Sequence, residues 1–383
     1  MSQAGRAAAC LLWEAGRLKP RPDVVRVALD EGAAIATVAP LATAHGLGPL
    51  LWRALRMAGC RDGVGPGAAQ LASEAALCRH RDLLVLPNAV ATAVRPLLDA
   101  GLEPVVFKGP AVACRYPEPG LRPMGDIDLI LPPELHQLGL AALQQAGWTI
   151  VRPADQRRYE TVLAHQDVPG LYAELHRELD VWYHRPNRLR AQTLWRRRIA
   201  INCLGTPAFG LRPEDEVVAL AAHAGKPYHY FSRLIWSVDL AVVDEAARAG
   251  GRELDWDLVL GLADAWRCRT VVAVALLHAA RLGVAVPPEL TGLAGSAVRR
   301  AALAPLLDFE WPVLERNDGL RNRLRYALVD EWPRRLVLFA GSPAPAPGRQ
   351  WPAEWARLGF RAMRRAWRLR RSSDPGGTKL RSP

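Results

Sequence analysis

The chain has 383 residues, with 50 Lys+Arg against 38 Asp+Glu and a formal charge of +12. Half of the residues are apolar, so wholesale disorder is excluded and the length allows a sizeable core, enough for two or three domains. Residues 349–383 hold ten basic and two acidic side chains, a net +8; the preceding 348 residues carry only +4, which excludes nucleic-acid coating by the protein as a whole.

Lysine is scarce. Lys19, Lys108, Lys226 and Lys379 are the only four, and the other 46 basic residues are arginine, as a GC-rich coding bias would give. A single arginine therefore says little about function, and each lysine says more. Six cysteines, at 10, 60, 78, 114, 203 and 268, include no CxxC pair and fit neither a disulfide framework nor a zinc knuckle. The first twelve residues are too short for a signal peptide, and no run of 18 apolar residues occurs. The expectation is a reduced, cytoplasmic protein without a transmembrane segment.

Residues 1–83 read as an N-terminal helical region, with Pro49 in a first turn ahead of Leu50, Leu51, Ala54 and Leu55. Residues 84–185 read as an α/β core. It opens with a helix over 84–100, kinked at Pro96 and closed by Gly101. A β-branched and aromatic strand follows over 104–107, then a helix start at Pro110 and a Pro- and Gly-rich loop over 117–125. A second strand spans 126–131, a helix 133–146, and a third strand 148–151. Two more strands, 159–165 and 171–179, flank a turn at 167–170. From 186 to 340 the pattern is a C-terminal helical subdomain, clearest over 213–224 and 233–249. Residues 341–383 are a Pro-Ala linker and a basic tail, in which Trp351, Trp355, Leu358, Ala362 and Ala366 share one helical face. Such a tail docks on the protein's own core or contacts an anionic membrane or RNA. The fold class is α/β (α+β), a mixed sheet flanked by N- and C-terminal helical subdomains.

Asp126 and Asp128 stand two apart on a predicted strand, so both carboxylates leave one face while Ile127, Leu129 and Leu131 leave the other. Paired carboxylates repel unless a cation lies between them, and Mg²⁺ joins carboxylate to phosphate oxygens. Lys108-Gly109 ends the preceding strand at a helix start, where backbone donors and the lysine favour an anion. Glu174 is the best third carboxylate for a two-metal clamp, and it shares a strand face with His176. Arg122 is either a bidentate triphosphate contact or a solvated loop residue. His176 either orients Glu174 or packs in the sheet. His223 and His229, six apart, do not have helical metal-pair spacing and read, with Asp239, as helix-packing partners or cleft-lining groups. Lys226 is a candidate phosphate contact because lysine is rare here.

The strings Phe107-Lys108-Gly109, Tyr116-Pro117 and Gly120-Leu121-Arg122-Pro123-Met124-Gly125-Asp126-Ile127-Asp128-Leu129-Ile130 resemble the bacterial "nucleotidyltransferase family protein" group. That group is a largely uncharacterised branch of the DNA-polymerase-beta-type nucleotidyltransferase superfamily. The likeness takes in Glu174-Leu175-His176, the segment holding His223, Lys226, His229, Arg233 and Asp239, and, more loosely, residues 44–48. The resemblance implies Asp126, Asp128 and Glu174 as metal-ligating catalytic carboxylates, with Mg²⁺ or Mn²⁺ as cofactor. It implies Gly109 as the phosphate-binding turn, beside which Lys108, Arg122 and Lys226 are the nucleotide contacts that the residues themselves suggest. An NTP, ATP among them, would give its NMP to an unidentified acceptor: a small molecule, a peptide or protein, or RNA. The superfamily usually carries Gly-Ser or Gly-Gly where this chain has Gly109-Pro110, so a hydroxyl donor to phosphate is missing. Two alternatives stand beside transfer: a degenerate fold used for binding or assembly, and an RNA-modifying enzyme using its tail.

Overall fold

The computed structural model describes residues 2–60, 65–154, 159–168, 170–179, 190–226, 229, 231–291 and 328. The linker and basic tail, and the expected helices beyond 291, lie outside the described residues.

Five helices come first: α1 (Gln3–Gly16), α2 (Pro22–Asp30), α3 (Ile35–Ala44), α4 (Gly48–Met57) and α5 (Pro66–His80). A π-helical turn, Arg81–Val85, leads into α6 (Leu86–Asp99), which carries Pro96 inside it. Then come β1 (Val105–Phe107), α7 (Gly109–Ala113), β2 (Asp126–Ile130), α8 (His136–Gln145), β3 (Trp148–Arg152), β4 (Glu160–His165) and β5 (Tyr172–His176). These strands stand where the alternating apolar pattern predicts them. The remaining elements are α9 (Ala191–Arg196), β6 (Ile199–Cys203), β7 (Thr206–Gly210), α10 (Pro213–Gly225), α11 (Ile235–Ala249), α12 (Trp256–Ala265), α13 (Arg269–Arg281) and α14 (Pro288–Thr291).

The seven strands form one mixed sheet in the order β3-β4-β5-β2-β1-β7-β6. β2 pairs antiparallel with β1 and parallel with β5, and β7 runs parallel to β1. The hairpin β6–β7 corrects the reading of everything after residue 186 as helical. Its signal is weak for a physical reason: Leu204 sits in its turn at φ 51°, where glycine or asparagine would be usual, and Pro207 within β7 cannot donate to a ladder.

Side-chain alternation assigns the two sheet faces to two cores. Val106, Ile127, Leu129, Leu131, Ala173 and Leu175 pack under α6 and α8. The opposite face meets the helices. There one continuous core joins the N-terminal helices to α10, α11 and α13, through residues such as Leu11, Leu50, Val238, Val242 and Val271. Gly16 of α1 lies directly against Leu282 and Val238, where a Cβ would stand 3.0 and 3.2 Å from their side chains. The helices that bracket the sheet in sequence are thus one packed body in space.

Candidate active site

The sheet register builds the acidic wall. In the parallel β2–β5 pair Asp126 faces Tyr172, Asp128 faces Glu174 and Ile130 faces His176, while Phe107 of β1 flanks Asp128 on the other side. Cross-strand partners project from the same face, so Asp128 and Glu174 are neighbours and Asp126 stands beside them. The three carboxylates line a cleft of about 330 Å³. Lys108, Gly109 and Arg122 to Gly125 form its end. His223, Lys226, His229, Arg233 and Trp236 face the acids from the helical side.

Asp128 is 4% exposed. Lys108 Nζ donates to its Oδ1 at 2.8 Å, and His176 Nε2 lies 2.9 Å from the same oxygen. Burial alone would raise this carboxyl, but Lys108 and the His176 hydrogen bond outweigh it and hold it well below the usual carboxylate range. His176, also buried, reaches Glu174 Oε2 at 3.4 Å. Burial and Lys108 oppose its protonation, yet its hydrogen bonds to Asp128 and Glu174 prevail and raise its pKa. Glu174 is pushed up by burial and drawn down, on balance, chiefly by His176. Asp126 behaves differently. Burial first, then the charges of Asp128 and Glu174, push it up to about 6. Among the described residues its carboxylate has neither hydrogen bond nor ion pair.

The turn between β1 and α7 is tight. Lys108 adopts φ 50°, unusual for a residue with a side chain, and caps α7, which has only five residues. Pro110 offers no backbone donor there. A Cβ on Gly109 would stand 3.2 Å from the Asp126 carbonyl oxygen and 3.6 Å from Met124 Sδ, so a side chain here would push the turn away from β2 by a few tenths of an ångström.

Arg122, expected on phosphate, is 7% exposed and donates through Nε and Nη2 to both carboxylate oxygens of Asp239, each at 2.8 Å. The Tyr116 hydroxyl donates to Asp239 Oδ1, also at 2.8 Å. Burial works against the Arg122 cation, but Asp239 prevails and raises its pKa. Its Nη1 is left on the Gly109 side, 4.0 Å from where a Cβ on that glycine would be. Lys108 likewise has its charge on a carboxylate, Asp128. The sequence thus brings its seven candidates to one cleft, and two of its expected phosphate cations are held by acids.

The scan against protein families places a model described as an uncharacterised nucleotidyltransferase over residues 31–283, about two thirds of the chain. The chain belongs to this nucleotidyltransferase family. A search of curated proteins gives no match. Among solved structures, a solution structure of the antibiotic-resistance factor ANT(2'')-Ia is similar at 15% identity and a TM-score of 0.33, covering 49% of this chain and 94% of that one.

In this nucleotidyltransferase-family chain the donor set fits a divalent cation. Asp128, Glu174 and His176 offer ligand atoms that all lie within 4.8 Å of one another, and Asp126 adds a carboxylate whose ionisation is disfavoured by burial and by the charges of Asp128 and Glu174. The cluster combines two carboxylates with one imidazole nitrogen, a set that could hold a divalent cation.

Three residues that matter here carry weak sequence signals. His176 both packs, edge-on to Phe107 at 5.1 Å, and bridges two carboxylates. Asp239 organises Arg122 from 117 positions away, a pairing no local spacing reveals. Arg233 lines the cleft but reads in sequence as one arginine among many. His223 and His229 line the cleft and pack with Trp236, His229 stacking on the indole at 4.6 Å and 19°.

No helix among the described residues is long and apolar enough to cross a membrane.

Proposed function

We propose that this chain is a metal-dependent nucleotidyltransferase that moves an NMP from an NTP to an acceptor hydroxyl, or to a phosphate or amine, and releases pyrophosphate. The observation that carries the reading is the Asp128–Glu174 register pair with Asp126 beside it, in a cleft closed by a Gly109 turn, in a chain of this family. Asp126, Asp128 and Glu174 hold the cation. When bound, Mg²⁺ or Mn²⁺ supplies Lewis-acid polarisation of phosphate oxygens and offsets the charge that develops on them.

The chain's own groups do the rest. His176 holds Asp128 and Glu174 in fixed orientation, so that their outer oxygens keep one geometry. Glu174 accepts the acceptor's proton. Gly109 lets the triphosphate approach the backbone, and Arg122 Nη1 and Lys226 offer donors to it. The helical wall shields the cleft from water and shapes the acceptor pocket.

A second reading has its own observation. Lys108 already neutralises Asp128 at 2.8 Å, and Pro110 removes a donor from the turn, as in a degenerate site kept for binding or assembly. One experiment separates the two. Isotopically labelled NTPs with Mg²⁺ and fractionated lysate transfer label to small-molecule, protein or RNA acceptors if the site is active, and Asp126→Ala abolishes the transfer. Mg²⁺-dependent NTP binding without transfer in any fraction, lost in Asp128→Asn, supports the binding protein. RNA labelling that requires residues 349–383 supports the tail-dependent version.

A further inference from the structure

Arg233 is a cation of the cleft whose surroundings suit a ligand the chain does not itself supply. It lies in the segment leading into α11, half-buried, and lines the helical wall opposite the carboxylates. Its Nε is buried without a hydrogen-bond partner. Among the described residues it has no acidic partner either. The nearest acid that bears on it, Asp239, has both oxygens taken by Arg122 and one shared with Tyr116. Burial and the neighbouring Arg122 cation both disfavour its charge, and Asp239 compensates only in part. A cation kept under these conditions is stabilised when an anion enters.

The opposite side of Arg233 is prepared as well. Gly46, in the α3–α4 connection, has φ +71°, and a Cβ there would come within 3.0 Å of Arg233 Nη2 and 3.1 Å of Ile235. The connection is pinned by a hydrogen bond from the Ile235 amide to the His45 carbonyl at 3.1 Å. His45 itself is held neutral, its pKa lowered to about 4 by burial and, in smaller part, by Arg233. The N-terminal helices thus bring a backbone turn without a side chain, and a neutral ring, against the guanidinium. They support its position and leave its charge unmatched.

We propose that Arg233 is an anion-binding residue that takes phosphate-type oxygens on the helical wall of the cleft. The planar guanidinium suits bidentate contact with a phosphate. Arg122 Nη1, at the Gly109 end, gives the same anion a second cationic neighbour. Such oxygens come from the terminal phosphates of the NTP or from a phosphorylated acceptor. The inference rests on the proposed reaction only for the naming of these two sources; the binding of an anion does not depend on it.

The test is calorimetric titration of inorganic tripolyphosphate and orthophosphate, in EDTA, into the full chain and its Arg233→Lys and Arg233→Met variants. Thermal melting confirms that each variant is folded. Wild type binds, Arg233→Met binds roughly ten- to a hundredfold more weakly, and Arg233→Lys falls between. A loss confined to tripolyphosphate assigns the residue to the nucleotide; an equal loss for orthophosphate assigns it to a phosphorylated acceptor. Wild-type affinity in the folded Arg233→Met variant, or no anion binding by wild type, overturns the proposal. These titrations are metal-free and read anion binding alone, whereas label transfer with Mg²⁺ reads the transferase reaction, so failure of either reading shows separately.

Discussion

Asp126 and Asp128 are two positions apart on one strand face, yet removing their charges moves stability in opposite directions. Asp126 has a pKa raised from 3.8 to about 6 by burial and by the carboxylates of Asp128 and Glu174. A group whose folded pKa is raised contributes stability below its unfolded pKa and loses it as pH rises through the folded value. For Asp126 that loss runs from about pH 4 to pH 6 and is complete at pH 7.5. At 1.36 kcal/mol per tenfold change in proton affinity the upper limit is about 3 kcal/mol, and partial solvent access to the cleft reduces it to about 1–3 kcal/mol. In EDTA at pH 7.5, Asp126→Asn therefore melts roughly 2–10 °C above wild type. The gap closes at pH 4.5, and Mg²⁺ raises the wild type more than the variant. Asp128→Asn does the reverse: it leaves buried Lys108 without its carboxylate and destabilises by about 3–5 kcal/mol. Differential scanning fluorimetry across pH, with and without Mg²⁺, reads all of these. A variant at Asp126 that melts below wild type at pH 7.5, or a gap that does not respond to pH, refutes the argument that burial and the neighbouring carboxylates disfavour the charge of this group.

Asp239→Asn removes the carboxylate that holds Arg122 and Tyr116, both buried, and should lower stability by about 3 kcal/mol and weaken NTP binding, as melting and titration will show. His176 has a raised pKa, so its stabilisation is full below pH 6.5 and fades as pH climbs through the higher folded value; wild type should lose melting temperature over that interval and His176→Gln should not. Gly109→Ala introduces a Cβ 3.2 Å from the Asp126 carbonyl without a φ penalty, so it should cost about 1–2 kcal/mol in melting experiments while reducing label transfer at least about tenfold.

What the sequence made legible is what depends on short periods. A period of two places Asp126 and Asp128 on one face and Ile127, Leu129 and Leu131 on the other, and the cores confirm that division. The Glu174–Asp128 pairing depends on register between β2 and β5, which their spacing does not encode, although the alternating strand made Glu174 a fair candidate. Arg122 shows the limit most clearly. Its role changes with Asp239, and nothing between residues 122 and 239 announces that they meet. The β6–β7 hairpin was hidden by Leu204 at a positive φ and by Pro207, both poor turn-and-strand signals in sequence. The N-terminal helices carried no visible chemistry because their contribution, the bare backbone at Gly46 against Arg233, is made of a missing side chain.

The cleft has two walls that differ in how they are held. The acidic wall belongs to β2 and β5, where backbone ladders fix Asp126, Asp128 and Glu174 in place. The cationic wall belongs to α10, α11 and the segment between them, and its position depends on the core those helices share with α1 to α4. Arg122 and Tyr116 tie the segment before the aspartates to Asp239 of α11, and Arg115 ties it to Glu216 of α10. It follows that packing changes far from the carboxylates, at Gly16 or Gly46 for example, move the helical wall against a fixed acidic wall. In the proposed reaction such changes act on binding of the anion and the acceptor, and so on KM, whereas changes at the carboxylates act on kcat. The separation is physical. Backbone hydrogen bonds hold one wall rigid, and side-chain packing, with the Arg122–Asp239 and Arg115–Glu216 ties, sets the distance to the other.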